Sequence, residues 1–564
     1  MLKIRGRSSI AALGAYLLVA FIFLAIPVLP HPRRDLIGFG HDPDLFVWML
    51  AWWPHAILHG ENPFVTHAVW WPQGANLAWD TSIPGLALLA APVTLLGGPV
   101  LAYNVLAVLL PALAAWSAYL LCRHLTRSFW PSVAGGYLFG FSPYMFGQTE
   151  GHLHMTSVFL VPLIALVIVR YVEGSLTRGR LILVLGVLLA LQISFSTEVA
   201  FTVTLTLGVA LIVAWIVVPA SRSQIRLLLP PLVGSYAVAA VIASPLLAYA
   251  LLHFQHGSIN QPGAFPADLL NLVIPTRLTA LDWNWTTSVS SRFKGNNSEN
   301  GAYLGLAWLA ILGWFAWSFR RAAAARLLVA LLVLGIVAEL GVRLEVRGRN
   351  YFPLPWRLVS AIPPFNNVLP VRLSMFVALA ASVCVAWWAS SQNVPRAARV
   401  ALTAVTIATV VPSLWLSVWH EHPFRPSFFA QGVYRACLGP SDNVLMLPFP
   451  SRSDAMLWQA EAHFAYHMAT GYVGPASPPG VPDPRLVLSL EREPLSSDRR
   501  PLIAWVRHQR VTEIVAAGKG ARAWVRLLAP VARPSHIMGV YLYKLRPNRG
   551  SACPSGSAWR PAHP

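Results

Sequence analysis

Apolar runs about as long as a membrane-spanning helix recur over the first three quarters of the chain, separated by short polar stretches. A helix needs about 20 mainly apolar residues to cross the hydrocarbon core of a bilayer. Windows of that kind lie at 9–30, 100–121, 131–148, 155–172, 181–197, 198–219, 229–253, 301–319, 326–341, 371–390 and 397–419, which predicts about eleven transmembrane helices. The first is too long for the apolar core of a secretory signal, and no small-x-small cleavage site follows it. The 181–219 stretch holds two helices only if the chain turns sharply near Ser194–Glu198. Residues 83–98 are apolar but short and bounded by Pro and Gly, which suits a half-span or an interfacial segment.

After His420 the pattern changes. Long apolar runs give way to short strand-like pieces at Asn443–Phe449, Thr512–Ala517 and Gly539–Leu545, with helical periodicity near 452–468 and 501–509. The chain therefore reads as a transmembrane domain over 1–420 and a small α/β domain over 421–546. A Pro-, Ser- and Gly-rich tail over 547–564 reads as disordered.

Composition sharpens this picture. Of 564 residues, 56% are hydrophobic and 11% charged, whereas a soluble domain carries about a quarter charged residues. A soluble protein and a disordered one are both excluded, and four cysteines are too few for a disulfide scaffold. The formal charge of +20 would suggest nucleic acid as a partner in a soluble protein. Here the basic residues cluster in alternate loops: Lys3/Arg5/Arg7, Arg123/Arg127, Arg170/Arg178/Arg180, Arg222/Arg226, Arg320/Arg321/Arg326 and Arg396/Arg399. Positive-inside topology explains them without nucleic acid and puts the N-terminus inside and the C-terminus outside. Cys437 and Cys553 then lie where oxidation is possible and a bridge is conceivable, while Cys122 and Cys384 lie in or beside spans.

With that topology the acids segregate. Glu173 falls in a cytoplasmic loop, whereas Asp35, Asp42, Asp44, Glu61, Asp80, Glu150, Glu198, Asp268, Asp282 and Glu299 face outward. So do His41, His55, His59, His67, His152, His154, His253 and His256. Long outer loops run over 31–82, 254–300 and 342–370. The first is rich in Trp and His, and Trp, Phe and Leu at helical spacing over 45–59 predict an amphipathic helix in the membrane interface.

Four polar constellations stand out. Gly40-His41-Asp42-Pro43-Asp44 pairs two carboxylates beside the first span. A carboxylate near apolar surface has a raised pKa and is a better base near neutral pH. The same Asp42 and Asp44 with His41 could hold a divalent metal such as Mg or Mn through oxygen ligands. The bland reading is a helix cap at Asp42-Pro43. Gln148-Thr149-Glu150-Gly151-His152-Leu153-His154 suits phosphate or sugar hydroxyls, or else a hydrogen-bonded helix turn. Its two histidines at i, i+2 make a poor zinc signature. Ser194–Glu198 is a polar island in an apolar stretch, with Glu198 either near bilayer depth, where ionisable groups point to function, or solvated at the surface. Arg357 and Arg372 flank a Pro-rich segment and suit either a substrate phosphate or ordinary headgroups. Walker A, GxGxxG, HExxH and GxSxG patterns are absent, which argues against ATP-driven transport, nicotinamide chemistry and serine hydrolysis.

Several pieces in this order resemble the GT-C superfamily of membrane glycosyltransferases, in particular its YfhO-like and polyprenyl-phosphate-sugar-dependent members. They are Asp42-Pro43-Asp44-Leu45-Phe46-Val47-Trp48, Asn62-Pro63-Phe64, Trp71-Pro72-Gln73-Gly74-Ala75-Asn76-Leu77, Phe139-Gly140-Phe141-Ser142-Pro143-Tyr144, Gly151-His152-Leu153-His154 and Pro370-Val371-Arg372, within roughly the first 420 residues. The paired-acid motif is interrupted by Pro43. The resemblance implies a GT-C-like fold in the bacterial inner (plasma) membrane, and transfer of a sugar from a polyprenyl-phosphate donor to a glycan, lipid or protein acceptor on the outer face. It implies Asp42 as the base that takes the acceptor proton, with Asp44 as runner-up, and inversion at the anomeric carbon. Arg372 and Arg357 would neutralise the leaving phosphate, and Glu150, His152, His154 and Glu198 would contact substrate. The competing readings are a non-catalytic envelope assembly protein and a lipid or polymer transporter.

Overall fold

The computed structural model describes the chain except residues 1, 253–262, 364, 417–418, 474–480, 484–485, 488–489, 546–552 and 554–564. The expected disordered tail, apart from Cys553, and the outward His253 and His256 lie outside the described residues. Contacts divide the chain into two compact units: Met1–Pro30, Asn104–Pro245 and His256–His420 form unit 1, and His31–Tyr103, Leu246–Gln255 and Glu421–Pro564 form unit 2.

Among the described residues, seven helices are long and apolar enough to cross a membrane: α1 Arg7–Val28, α2 Pro99–Thr126, α3 Leu153–Val172, α4 Arg178–Phe195, α5 Thr197–Val217, α6 Pro219–Ile242 and α7 Pro370–Ser390. The chain is an integral, multi-pass membrane protein. The other expected spans form shorter helices, each for a local reason. The 131–148 window breaks at Phe141, because Ser142 caps a new helix by accepting from the Met145 N–H and Pro143 follows. The 229–253 window belongs to α6, which covers it only to Ile242 because the helix breaks at Ala243, before Ser244-Pro245. Leu306–Ser318 starts only after Gly305, whose φ of +82° an L side chain rarely adopts. Ala323–Glu339 and Arg396–Thr409 run 17 and 14 residues. At about 1.5 Å per residue, helices of this length fall short of a core about 30 Å thick. These last three pack with α7 around Trp308, Phe315, Leu332 and Trp388.

The turn expected in 181–219 is present. Ser196 is extended (φ −161°, ψ 110°) and its hydroxyl accepts from the Val199 N–H, so α4 ends and α5 begins there. Gly186 lets α4 approach α6 closely, since a Cβ at that position would lie 2.7 Å from Val238 Cβ.

In unit 2 the strands β1 Asn443–Leu447, β2 His467–Met468, β3 Glu513–Ala517, β4 Ser535–Ile537 and β5 Val540–Lys544 form one sheet in the order β4-β5-β3-β1-β2. β1 runs parallel to β2 and β3, and β5 runs antiparallel to β3 and β4. Helices Ala455–Glu461 and Arg499–His508 supply the parallel crossovers. Every residue of β1 and β3 is buried, as their unbroken apolar runs require. A disulfide joins Cys437 to Cys553.

The helix expected in the membrane interface forms at Asp42–Leu58, but it is buried over most of its length. Phe46 to Trp53 is apolar without interruption, so the helix has no polar face to give to water. Its Trp48 indole donates to Gln459 Oε1 at 2.8 Å. Trp48 and Trp52 stack on each other, and both meet the ring of Phe464 edge-on.

Candidate functional site

Two buried polar centres carry the sequence-predicted residues, one in each unit. In unit 2 the centre is built on the first turn of the Asp42–Leu58 helix. The cap position falls to His41, not Asp42, and its side chain makes no capping bond. His41 Nδ1 lies 3.5 Å from Asp44 Oδ2 and 3.7 Å from Asp454 Oδ1. One ligand atom from each of His41, Asp44 and Asp454 falls within 4.8 Å of the others. Asp44 is 1% exposed; among the described residues no N–H or hydroxyl donates to its carboxylate oxygens, and its hydrogen-bond partner is the Asp454 carboxyl. Burial pushes the Asp44 carboxyl well above the usual carboxylate range, and the charge of Glu421 adds to the effect. Asp454 is raised for the same first reason and by Asp44.

Asp42, one residue into the helix, is partly exposed and faces a different partner: the hydroxyl of Tyr472 donates to its Oδ1. Burial, and then the charge of Asp42, raise that phenol above its ordinary value. Around the centre the Gly40 N–H donates to Glu421 Oε2 at 2.7 Å, with Gly40 at φ +83°. The Arg425 guanidinium donates to Glu461 at 2.8 Å and to the Arg34 carbonyl at 2.6 Å. Two close carboxylates with an imidazole, and no N–H or hydroxyl donating to Asp44 among the described residues, fit a hard divalent cation.

In unit 1 the second centre is an ion-pair network. Arg372, at the start of α7, donates through Nη1 to Glu198 at 2.7 Å and through Nη2 and Nε to Glu299 at 2.5 and 3.0 Å. His154 Nε2 lies 3.8 Å from Glu198, and His152 Nδ1 lies 3.9 Å from Glu299. His152 Nδ1 is 2.8 Å from Gln148 Oε1, which makes that nitrogen the protonated one. Gln148 also donates to the Ser298 carbonyl at 2.8 Å, and the Ser298 hydroxyl donates to Glu150 at 3.0 Å. Burial pushes the Glu150 carboxyl up to about 7.

The structure thus brings Glu150, His152, His154, Glu198 and Arg372 into one network, and places His41, Asp42 and Asp44 on one helical turn. Arg357 stands apart from both: it is exposed in the short helix Trp356–Val359 and makes no ion pair among the described residues. Sequence reasoning did not single out Asp454, Tyr472 or Glu299 as site residues. Asp454 precedes the apolar Ala455–Trp458, a weak signal for a buried acid. Glu299 shows only as one outward acid among many.

A search of curated proteins finds no match. Among solved structures, arabinofuranosyltransferase AftD from Mycobacteria matches with a TM-score of 0.56 at 14% identity, covering 96% of this chain and 42% of that one. The apo oligosaccharyltransferase of Archaeoglobus fulgidus matches with a TM-score of 0.54 at 12% identity, covering 90% and 69%. The oligosaccharyltransferase AglB of the same organism, in complex with an inhibitory peptide and a dolichol-phosphate, matches with a TM-score of 0.50 at 12% identity and the same coverage. These likenesses establish the GT-C fold for this chain. A family model described as a domain of unknown function, DUF6311, matches residues 11–407, and the chain belongs to that family.

Proposed function

We propose that the protein is a membrane glycosyltransferase that moves a sugar from a polyprenyl-phosphate donor to an acceptor hydroxyl on the outer face of a bacterial inner membrane. The observation that carries this reading is the first turn of the Asp42–Leu58 helix. It presents a partly exposed carboxylate, Asp42, beside a buried carboxylate, Asp44, to which no N–H or hydroxyl donates among the described residues. Asp42 is the base: it takes the acceptor proton as the acceptor oxygen attacks the anomeric carbon, and the lipid phosphate leaves with inversion. The Tyr472 hydroxyl orients the Asp42 carboxylate. Asp44, His41 and Asp454 would hold a divalent cation such as Mg or Mn, which supplies positive charge to an anionic substrate. In unit 1, Arg372 with Glu198, His152, His154 and Glu150 contacts substrate, and the guanidinium reads phosphate. Arg357, exposed and without an ion pair, serves the same phosphate chemistry. The fold is shared with the oligosaccharyltransferase crystallised with dolichol-phosphate, which supports a lipid-linked donor.

The test is phosphate-lipid release from a panel of polyprenyl-phosphate sugars by the full chain in lipid, with and without Mg²⁺ or Mn²⁺. Release by the wild type that Asp42→Asn abolishes, with folded protein retained, is the expected result. Equal release by both proteins would overturn the assignment of the base. No release with any donor and acceptor pair would overturn the transferase reading.

A further inference from the structure

A second feature of unit 1 lies outside both polar centres. A cleft of about 650 Å³ opens between the C-terminal end of α5 and the helix pair Leu306–Ser318 and Ala323–Glu339. Val213, Ile216, Phe319 and Val333 line it, and Arg320 and Arg326 line it too. The volume falls within the range of about 300–1,000 Å³ typical of ligand sites. Inside a bilayer an apolar cleft of this kind takes hydrocarbon.

The arginines specify what the hydrocarbon is attached to. Both are exposed. Arg320 donates to the Trp317 carbonyl at 2.7 Å, and its guanidinium carbon lies 4.3 Å from the centroid of the Trp317 ring. Trp317 is itself exposed, and tryptophan prefers the headgroup level. Arg326 makes no ion pair and no side-chain hydrogen bond among the described residues. No acid is available in the sequence nearby: Asp and Glu are absent between Glu198 and Asp268 and between Glu299 and Glu339. Arg222 and Arg226, which both lie over the Trp215 ring near the end of α5, add to the same uncompensated charge. By the charge rule this end of the helices faces the cytoplasm.

We infer that the cleft is a phospholipid site, in which acyl chain packs against Val213, Ile216, Phe319 and Val333 while Arg320 and Arg326 hold a negatively charged headgroup. Basic residues at the cytoplasmic ends of membrane helices recognise anionic headgroups in this way.

The experiment is native mass spectrometry of the full chain released from detergent, titrated with dioleoyl phosphatidylglycerol or dioleoyl phosphatidylcholine. The wild type should prefer phosphatidylglycerol at one saturable site, by on the order of tenfold. Arg320→Gln with Arg326→Gln should bring the two lipids level, and both positions are exposed, so the fold is kept. Ala330→Trp, which fills the cleft, should weaken both lipids. Arg178→Gln with Arg180→Gln, a basic pair that does not line the cleft, should leave the preference intact. Equal binding of the two lipids by the wild type would overturn the inference. So would a preference that survives the Arg320/Arg326 double variant.

Discussion

In unit 1, a half-buried glutamate, Glu198, and a buried one, Glu299, sit at 2.7 and 2.5 Å from one guanidinium. In unit 2, Asp44 and Asp454 lie together with no arginine or lysine paired to either among the described residues, and the imidazole of His41 stands 3.5 and 3.7 Å away. The first arrangement is electrically settled by its own residues. Arg372 meets the carboxylates with a near-bidentate fork, the geometry in which a desolvated guanidinium recovers most of its lost hydration. The second is not settled: Asp44 is desolvated beside another carboxyl, with no N–H or hydroxyl donating to it among the described residues, so holding both acids charged is costly until a cation or a proton arrives. The difference separates a centre whose charges are already balanced by its own residues from one whose buried acid still lacks a counter-charge.

The largest expected effect breaks the settled centre. Arg372→Gln leaves the buried Glu299 and the half-buried Glu198 uncompensated and should cost about 3–5 kcal/mol of stability, read as a fall in Tm of the purified protein. Adding Glu299→Gln should recover part of that loss. A double variant no more stable than the single would show that the pair is not coupled. Next is the unsettled centre: Asp42→Asn should cut sugar transfer by about 10²–10⁴-fold with Tm unchanged. A parallel loss of Tm would make Asp42 a structural residue instead.

A pH profile sharpens the comparison at Glu150. Its carboxyl is raised from 4.5 to about 7, so the folded chain binds a proton there that the unfolded chain releases. That stability is fully present below about pH 4.5 and is lost as pH rises through about 7. Glu150→Gln should therefore be neutral near pH 4.5 and stabilising above pH 7, by at most about 3 kcal/mol. A gain in Tm that is flat across this window would contradict the buried-acid account. Cation binding gives a smaller signal: Mn²⁺ should stabilise the wild type by about 1–3 kcal/mol at concentrations well above its Kd. Asp44→Asn should lose that increment while standing as stable as the cation-free wild type, or more so. Smallest is Tyr472→Phe, which removes one hydrogen bond from Asp42 and should cost about 1 kcal/mol in transfer, roughly fivefold in kcat/KM. An unchanged rate would remove Tyr472 from the positioning of the base.

Much of this was readable before any fold. The helix break at Ser194–Glu198 and the strands near Asn443, Thr512 and Gly539 follow from local period and capping chemistry, and they form where expected. The five polar residues now in the unit 1 network and the three on the first turn of Asp42–Leu58 were marked on different grounds: Glu198 as a polar island in an apolar stretch, Glu150, His152 and His154 as a tight polar cluster, Arg372 as a phosphate reader at the start of a span, and His41, Asp42 and Asp44 as a carboxylate pair with an imidazole beside the first span. The Asp42–Leu58 helix was expected in the interface because its tryptophans repeat at helical spacing. That spacing cannot say whether lipid or protein covers them, and Gln459 and Phe464 supply the protein that does. The short helices Leu306–Ser318 and Arg396–Thr409 were expected as full spans because apolar content continues past their ends, and composition does not register a glycine at positive φ or a break in the hydrogen-bond ladder.

By itself the sequence determined that this is a many-helix membrane protein with a small α/β domain after His420, and that its acids sit apart from its basic loops. Those properties are sums over neighbouring residues: transfer free energies accumulate along a window, and charge bias acts loop by loop. The tertiary structure alone decided that Asp454 joins His41 and Asp44, that Tyr472 reaches Asp42 across 430 residues, that Glu299 shares Arg372 with Glu198, and that Cys437 bonds to Cys553. Each of these depends on distances of a few ångströms between segments hundreds of residues apart. No local pattern encodes such a distance, because it is set by how every intervening helix packs.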